Sequence, residues 1–418
     1  MSPEGGNGVV TRCSGCSVPY EGSIHLRLSP RTVRQIDSPF GEARELENQR
    51  RRERDLLDLS QAAPCYPAAP AVVEHIAAIA RDPHGGDYTD IAGLPHLREA
   101  FAADLSRSYL SHVRAEQIVI TAGCNQAFCL VVSALAEAGD EVVLAVPYYP
   151  NHDMWLRLNG IRPVYLEPGP DLLPSPETAE ALITPRTRAI VLVTPGNPSG
   201  VTAGPEAIER LAEVARRHDL ALILDETYRS FRDTAEPAHR LLSDPQWEQT
   251  VVSLHSFSKD YAIPGYRVGA LVASPLLNRE VMKLLDCVAI CAPRIGQEAA
   301  WAGLTLAQEW KLARAREMEE KRRRFAAVMA ERPGGFELVS AGGFYGWIRH
   351  PFAGRPTEEV VRDLAITYDT LVIPGTAFLP EDGRMLRASF SNVDQESFTD
   401  FAGRLTAAGM SYMTIPAN

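Results

Sequence analysis

Between Ile118 and Leu254 the chain keeps returning to short, continuous aliphatic runs, and this recurrence restricts the fold more than any other feature. The runs are Ile118–Thr121, Glu141–Val146, Pro163–Leu166, Ala189–Val193, Ala221–Leu224 and Thr250–Leu254. Stretches such as Ile-Val-Leu-Val at 190–193 and Ala-Leu-Ile-Leu at 221–224 lack polar alternation, as strands buried on both faces should. Helical spacing separates several of them: Asn125–Ala138, closed by Gly139, then a segment after Pro150, then Pro205–His218. Short strands alternating with helices predict crossover units and a mostly parallel sheet sandwiched by helices. Val268–Val272 is expected to add a seventh strand, at the edge.

The flanks differ in texture. Residues 1–28 are rich in Gly, Ser and Pro and read as a flexible arm. Residues 29–70 begin helical and charged, with a basic patch at Arg50, Arg51, Arg52 and Arg54 that reads as a solvated helix face. They end in Ala62-Ala63-Pro64-Cys65-Tyr66-Pro67-Ala68-Ala69-Pro70, whose three prolines suggest a hinge. Residues 71–300 form the large α/β domain. In 301–418 a long charged helix (Trp310–Arg332) precedes short strands at Glu337–Val339, Gly346–Arg349, Val372–Ile373 and Met385–Phe390, with helices at Thr357–Ala365 and Glu396–Ala408. This is the pattern of a smaller α+β domain, built from both ends of the chain.

A formal charge of -11 argues against nucleic acid or an anionic membrane as main partner. No apolar run is long enough to span a bilayer, and no secretory leader is legible. Seven scattered cysteines read as reduced thiols of a cytoplasmic protein. Cys13 and Cys16 form a lone C-x-x-C with no second pair, so no metal site is expected.

Chemistry gathers at the predicted strand ends, where open α/β sheets bind ligands. Gly123-Cys124-Asn125 opens a helix straight after a strand, so free backbone N–H groups and the helix dipole suit a phosphate. Tyr149 follows the next strand, where a flat ring can stack. Asn197 sits in the tight turn Thr194–Gly200, and Asp225 closes an apolar strand, where a buried anion needs a cationic partner. Tyr228 follows closely, and Ser256-Phe-Ser-Lys259-Asp leads to Arg267. Singly these have plainer readings as helix start, core ring, turn geometry or solvated lysine. Jointly they suit a flat, phosphorylated aromatic with a cationic ring nitrogen and an electrophilic carbonyl. Pyridoxal 5′-phosphate has each of these features, with Lys259 forming the Schiff base and Asp225 pairing with the ring nitrogen.

Nine motifs in order then resemble the class I/II aminotransferases, fold type I pyridoxal-phosphate enzymes of the aspartate aminotransferase superfamily. They are Tyr88-Thr-Asp-Ile-Ala-Gly-Leu-Pro-His-Leu-Arg, Gly123-Cys-Asn-Gln-Ala, Pro147-Tyr-Tyr-Pro-Asn-His, Asn197-Pro-Ser-Gly, Asp225-Glu-Thr-Tyr, Ser256-Phe-Ser-Lys-Asp with Arg267-Val-Gly, Gly343-Phe-Tyr, Ile373-Pro-Gly-Thr-Ala-Phe and Arg387-Ala-Ser-Phe. The resemblance implies that Lys259 moves the proton between substrate and cofactor. It implies a phosphate cup of Gly123, Cys124, Ser256 and Arg267, with Asn125 also at the cofactor, completed by Tyr88 of a neighbouring subunit, hence a homodimer. It makes Tyr149 the ring-stacking residue and gives Asn197 and Tyr228 to the ring oxygen, with Asn197 also at the substrate. Arg387 takes the fork that grips the substrate carboxylate.

One departure stands at Ala62-Ala63-Pro64, where the family usually reads Gly-Glu-Pro, so a methyl lies near the bound substrate. Aminocyclopropane-carboxylate synthases, which act on S-adenosylmethionine, also carry alanine there. Two enzymatic readings follow: amino-group transfer from an L-amino acid to a 2-oxo acid, and elimination or replacement at Cβ or Cγ of an amino acid such as S-adenosylmethionine. A third, a cofactor-sensing regulator, needs a DNA-binding domain, and no helix-turn-helix pattern precedes the hinge.

Overall fold

The computed structural model describes residues 27–413 apart from 51, 53 and 235; Cys13, Cys16 and nearly all of the expected arm lie outside the described residues. After a short strand β1 (Leu57–Asp58), the predicted aliphatic runs form β2 (Ile118–Thr121), β3 (Glu141–Ala145), β4 (Arg162–Leu166), β5 (Thr187–Val193), β6 (Ala221–Asp225), β7 (Val251–Ser256) and β8 (Gly269–Val272). They make one seven-stranded sheet in the order β2-β8-β7-β6-β5-β3-β4. Alternate residues of each strand point to opposite faces, and both faces are apolar. Ile190, Leu192, Leu222 and Leu224 enter one core, while Ala189, Val191 and Ile223 enter the other.

β8 is not the edge strand that the sequence suggested. It lies between β2 and β7 and runs antiparallel to both, while the pairs from β7 through to β4 are parallel. The chain leaves β7 at Ser256 and returns beside it, so the intervening segment, which carries Lys259, stays at the carboxyl end of the parallel strands. Gly269 is consequently the register partner of both Ser256 and Thr121.

Three helices escaped sequence reading: Pro176–Ala181, Pro275–Ala289 and Arg294–Leu306. The last packs closely on helix Pro70–Arg81, and the expected domain boundary near residue 300 falls inside it.

The remaining strands are β9 (Glu337–Gly342), β10 (Tyr345–Arg349), β11 (Thr370–Leu371), β12 (Ile373–Pro374) and β13 (Met385–Ser389). A four-stranded sheet has the order β12-β13-β10-β9, with Arg387 of β13 opposite Trp347 on one side and Ile373 on the other. The two chain ends meet here: β1 pairs with β11 in parallel, and helix Pro39–Gln49 packs on helix Thr357–Tyr368. Of the arginine patch, Arg50, Arg52 and Arg54 lie beyond the helix, which ends at Gln49, so they form no helix face. Arg50 instead donates to the Asp369 carboxylate at 2.9 Å, and Arg52 takes a left-handed backbone.

The Asn197 turn touches the smaller sheet backbone to backbone. A Cβ on Gly342 would lie 2.1 Å from the Gly200 carbonyl oxygen, and Ser340 Oγ donates to the Ser199 carbonyl at 2.7 Å. Glycine at both positions is what lets the two sheets meet beside the site.

Candidate active site

A cavity of about 320 Å³ opens at the carboxyl ends of the parallel strands, facing the smaller sheet. Its walls include Ala62, Cys124, Asn125, Tyr149, Asn197, Asp225, Tyr228, Ser256, Lys259, Arg267 and Arg387, eleven of the residues predicted from sequence. Gly123 directly precedes the wall residue Cys124 as the cap of its helix. Tyr88 does not line the cavity: the residue is 77% exposed.

One end of the cavity is a cradle of backbone and cations. Gly123 caps helix Cys124–Leu135 with φ 89° and ψ 165°, a conformation only glycine adopts readily. An added Cβ would also fall 2.4 Å from an Arg267 guanidinium nitrogen. Arg267 has φ 51° and is held by the Pro264 carbonyl at 3.0 Å and the Ala122 carbonyl at 3.4 Å. The helix start, the guanidinium and Ser256 thus converge where an anion gains most.

Asp225, at the end of β6, is 5% exposed. Burial raises its pKa; hydrogen bonds from Thr227 and the Cys124 thiol oppose that shift, the Thr227 N–H lying 3.0 Å from Oδ1. His152 Nε2 stands 3.5 Å from the other carboxylate oxygen. Burial pushes the His152 pKa down to about 3, so the ring is neutral, and it stacks on Phe128 at 3.8 Å. Neither His152 nitrogen has a hydrogen-bond partner. An anion so enclosed calls for a cation.

Lys259 follows β7, and its Nζ donates to the carbonyl of Ala62, so the segment carrying the unusual alanines meets the lysine directly. Burial, with help from Arg267 and Arg387, pushes its pKa down to about 8. Tyr149 edges against His152 at 5.2 Å between ring centres and hydrogen-bonds with Asn125.

At the opposite end Arg387 is fully buried. It donates to Asn197 Oδ1 at 3.0 Å and to the Ser60 carbonyl, while its Nε has no partner. Rings of Tyr345, Phe378 and Phe40 stand 5.0, 5.1 and 5.2 Å from its centre. Burial lowers the pKa of this guanidinium, and nearby tyrosines counteract it. No described carboxylate forms an ion pair with it, so it can receive one from a ligand.

Sequence reading missed Phe40, Gln61, Thr227, Ser258, Pro264 and Tyr345 as cavity walls. Tyr345 stood inside the Gly343-Phe-Tyr motif, and it hydrogen-bonds Tyr228 hydroxyl to hydroxyl. Phe40 carried no local signal, because a distant part of the chain brings it over Arg387.

These groups fit pyridoxal 5′-phosphate: an anion cradle that a side chain at Gly123 would fill, an unpaired buried carboxylate for a ring nitrogen, and an amine of lowered pKa for a carbonyl. Comparisons agree. The family described as "Aminotransferase class I and II" matches residues 54–405. An aromatic aminotransferase of Arabidopsis thaliana is 30% identical over 359 residues, covering 84% of this chain and 88% of that protein. Valine–pyruvate aminotransferase of Mycobacterium tuberculosis is 34% identical over 253 residues, 60% of this chain and 64% of that one. A single-mutant aspartate aminotransferase of Thermus thermophilus superposes with a TM-score of 0.84 at 25% identity, covering 92% of this chain and all of that structure. The chain therefore belongs to the class I and II aminotransferases and is a pyridoxal 5′-phosphate-dependent enzyme of that family.

Proposed function

We propose that the enzyme moves the amino group of an L-amino acid with an uncharged, largely apolar side chain to a 2-oxo acid. The carrying observation is the chemistry of the Arg387 end: one buried guanidinium, already oriented by Asn197 and three aromatic rings, with Phe40, Tyr345 and Gln61 as the adjoining walls. The α-carboxylate would occupy Arg387. The described lining holds no second arginine on that side for a side-chain carboxylate, since its other cations are Lys259 and Arg267.

Bound pyridoxal 5′-phosphate supplies a carbonyl that takes up amines and a ring that accepts the electron pair left when Cα loses its proton. Within this reading Gly123, Cys124, Asn125, Ser256 and Arg267 hold the phosphate and Tyr149 covers the ring face. Asp225, kept in place by Thr227 and Cys124, holds the ring nitrogen, and Asn197 and Tyr228 hold the ring oxygen. Lys259 takes the Cα proton and returns it one position away; its lowered pKa suits a base working near neutral pH. Phe40 keeps water from the Arg387 fork.

Tyr88 belongs to the same reading as a group lent to the neighbouring subunit of a homodimer, which its exposure supports. So do a hinge near residues 62–70, a smaller domain drawn from both chain ends, and a cytoplasmic setting for the free cysteines. Each relative named above is an aminotransferase, which supports transfer over the elimination or replacement that Ala62 raised.

Steady-state rates with pyruvate and 2-oxoglutarate as acceptors test the substrate class. Aromatic and aliphatic donors should exceed aspartate by about tenfold or more in kcat/KM, equivalent to ~1.4 kcal/mol. A preference for aspartate would overturn it.

A further inference from the structure

Outside the cavity, the segment that joins the two sheets carries an exposed thiol at Cys65. Its backbone N–H is fixed to the Ser391 carbonyl at 3.1 Å. Facing it is Lys321 of helix Gln308–Met329, only 3% exposed. The Lys321 ammonium donates to the Val393 carbonyl at 2.9 Å and to Cys65 Sγ at 3.0 Å, so a buried amine is aimed at a sulfur that solvent reaches. Asp394 Oδ1 lies 3.8 Å from the same sulfur and accepts a hydrogen bond from it. A cation beside the sulfur together with solvent access is the environment in which cysteines react with oxidants.

We propose that Cys65 and Lys321 form a reversible covalent crosslink when the enzyme meets a peroxide. The Cys65 sulfur attacks the peroxide O–O bond, which breaks; an S–O bond forms and water leaves, oxidising the thiol to a sulfenic acid. Lys321 first gives one ammonium proton to solvent, and its neutral nitrogen then attacks that sulfur. The S–N bond forms, the S–O bond breaks, and hydroxide departs as water with a second proton from nitrogen. The product is a sulfenamide in which nitrogen keeps one hydrogen, and the protein has lost two hydrogens for each peroxide reduced. Lys321 competes well with water or a second peroxide because its nitrogen already lies within contact distance of the sulfur.

The test is peptide mass spectrometry of the holoenzyme after hydrogen peroxide, before and after dithiothreitol. The expected result is a linked pair of peptides containing Cys65 and Lys321, lighter by two hydrogens and separated by the reductant. Lys321→Arg keeps a cation at the site but should give no linked pair and let Cys65 pass to sulfinic acid. Cys65→Ala, a change at an exposed position, should remove the linkage outright. Wild-type Cys65 carried to sulfinic or sulfonic acid without linkage, or left unoxidised while other cysteines react, would overturn the proposal.

Discussion

Under the proposed function, in which Lys259 captures the cofactor carbonyl, its lowered pKa has a measurable consequence for cofactor uptake. Only the neutral amine attacks a carbonyl, and burial disfavours the ammonium. With a pKa of about 8 in place of the usual 10.5, roughly a quarter of the lysine is neutral at pH 7.5 instead of about 0.1%, a gain of ~200-fold in reactive amine. The rate of pyridoxal 5′-phosphate capture, followed by stopped-flow absorbance, should rise about tenfold per pH unit below 8 and level off above it. Arg387→Gln removes one of the two guanidiniums that assist burial, so the midpoint should move upward while a plateau remains. The folded apoenzyme binds fewer protons than the unfolded chain between about 8 and 10.5, so this group's contribution to stability should grow with pH across that window. A capture rate still climbing beyond pH 10 would mean that Lys259 titrates as an ordinary exposed lysine.

Other perturbations separate the parts of the site. Gly123→Ala forces a side chain into a glycine conformation and against Arg267; strain of about 1–3 kcal/mol should weaken cofactor affinity by roughly 5- to 150-fold in a fluorescence titration. Arg387→Lys keeps the charge but loses the fork, so kcat/KM for amino acids should fall by about tenfold or more while the absorbance of the bound cofactor stays unchanged. Mixed Tyr88→Ala and Lys259→Ala subunits should regain activity that neither variant has alone, because one site of each mixed dimer combines an intact lysine with an intact tyrosine. Absence of such recovery after subunit exchange would contradict the lent tyrosine.

The large sheet was legible because a strand buried on both faces is written locally, as an aliphatic run such as Ile190–Val193. The place of β8 was not, since its antiparallel course depends on the excursion through Lys259 and on pairing with β2, remote in sequence. Helix Arg294–Leu306 was missed because Gly296, Ala299, Ala300, Ala302 and Gly303 are all buried and blur the apolar stripe by which a helix is recognised. Strand-end residues announced themselves through motifs in order, and the cavity gathers nearly all of them. Phe40 and the Arg50–Asp369 pair depend on contacts between the two chain ends, which no local pattern encodes.

A half-reaction tests whether Lys259 and Arg387 together serve amino-group transfer. Purified holoenzyme given a single apolar L-amino acid without any oxo acid should release one equivalent of the matching 2-oxo acid per site and leave its cofactor in the amine form. Lys259→Ala should do neither. Release of a side-chain fragment with the cofactor still in its aldehyde form would instead assign the enzyme to elimination or replacement.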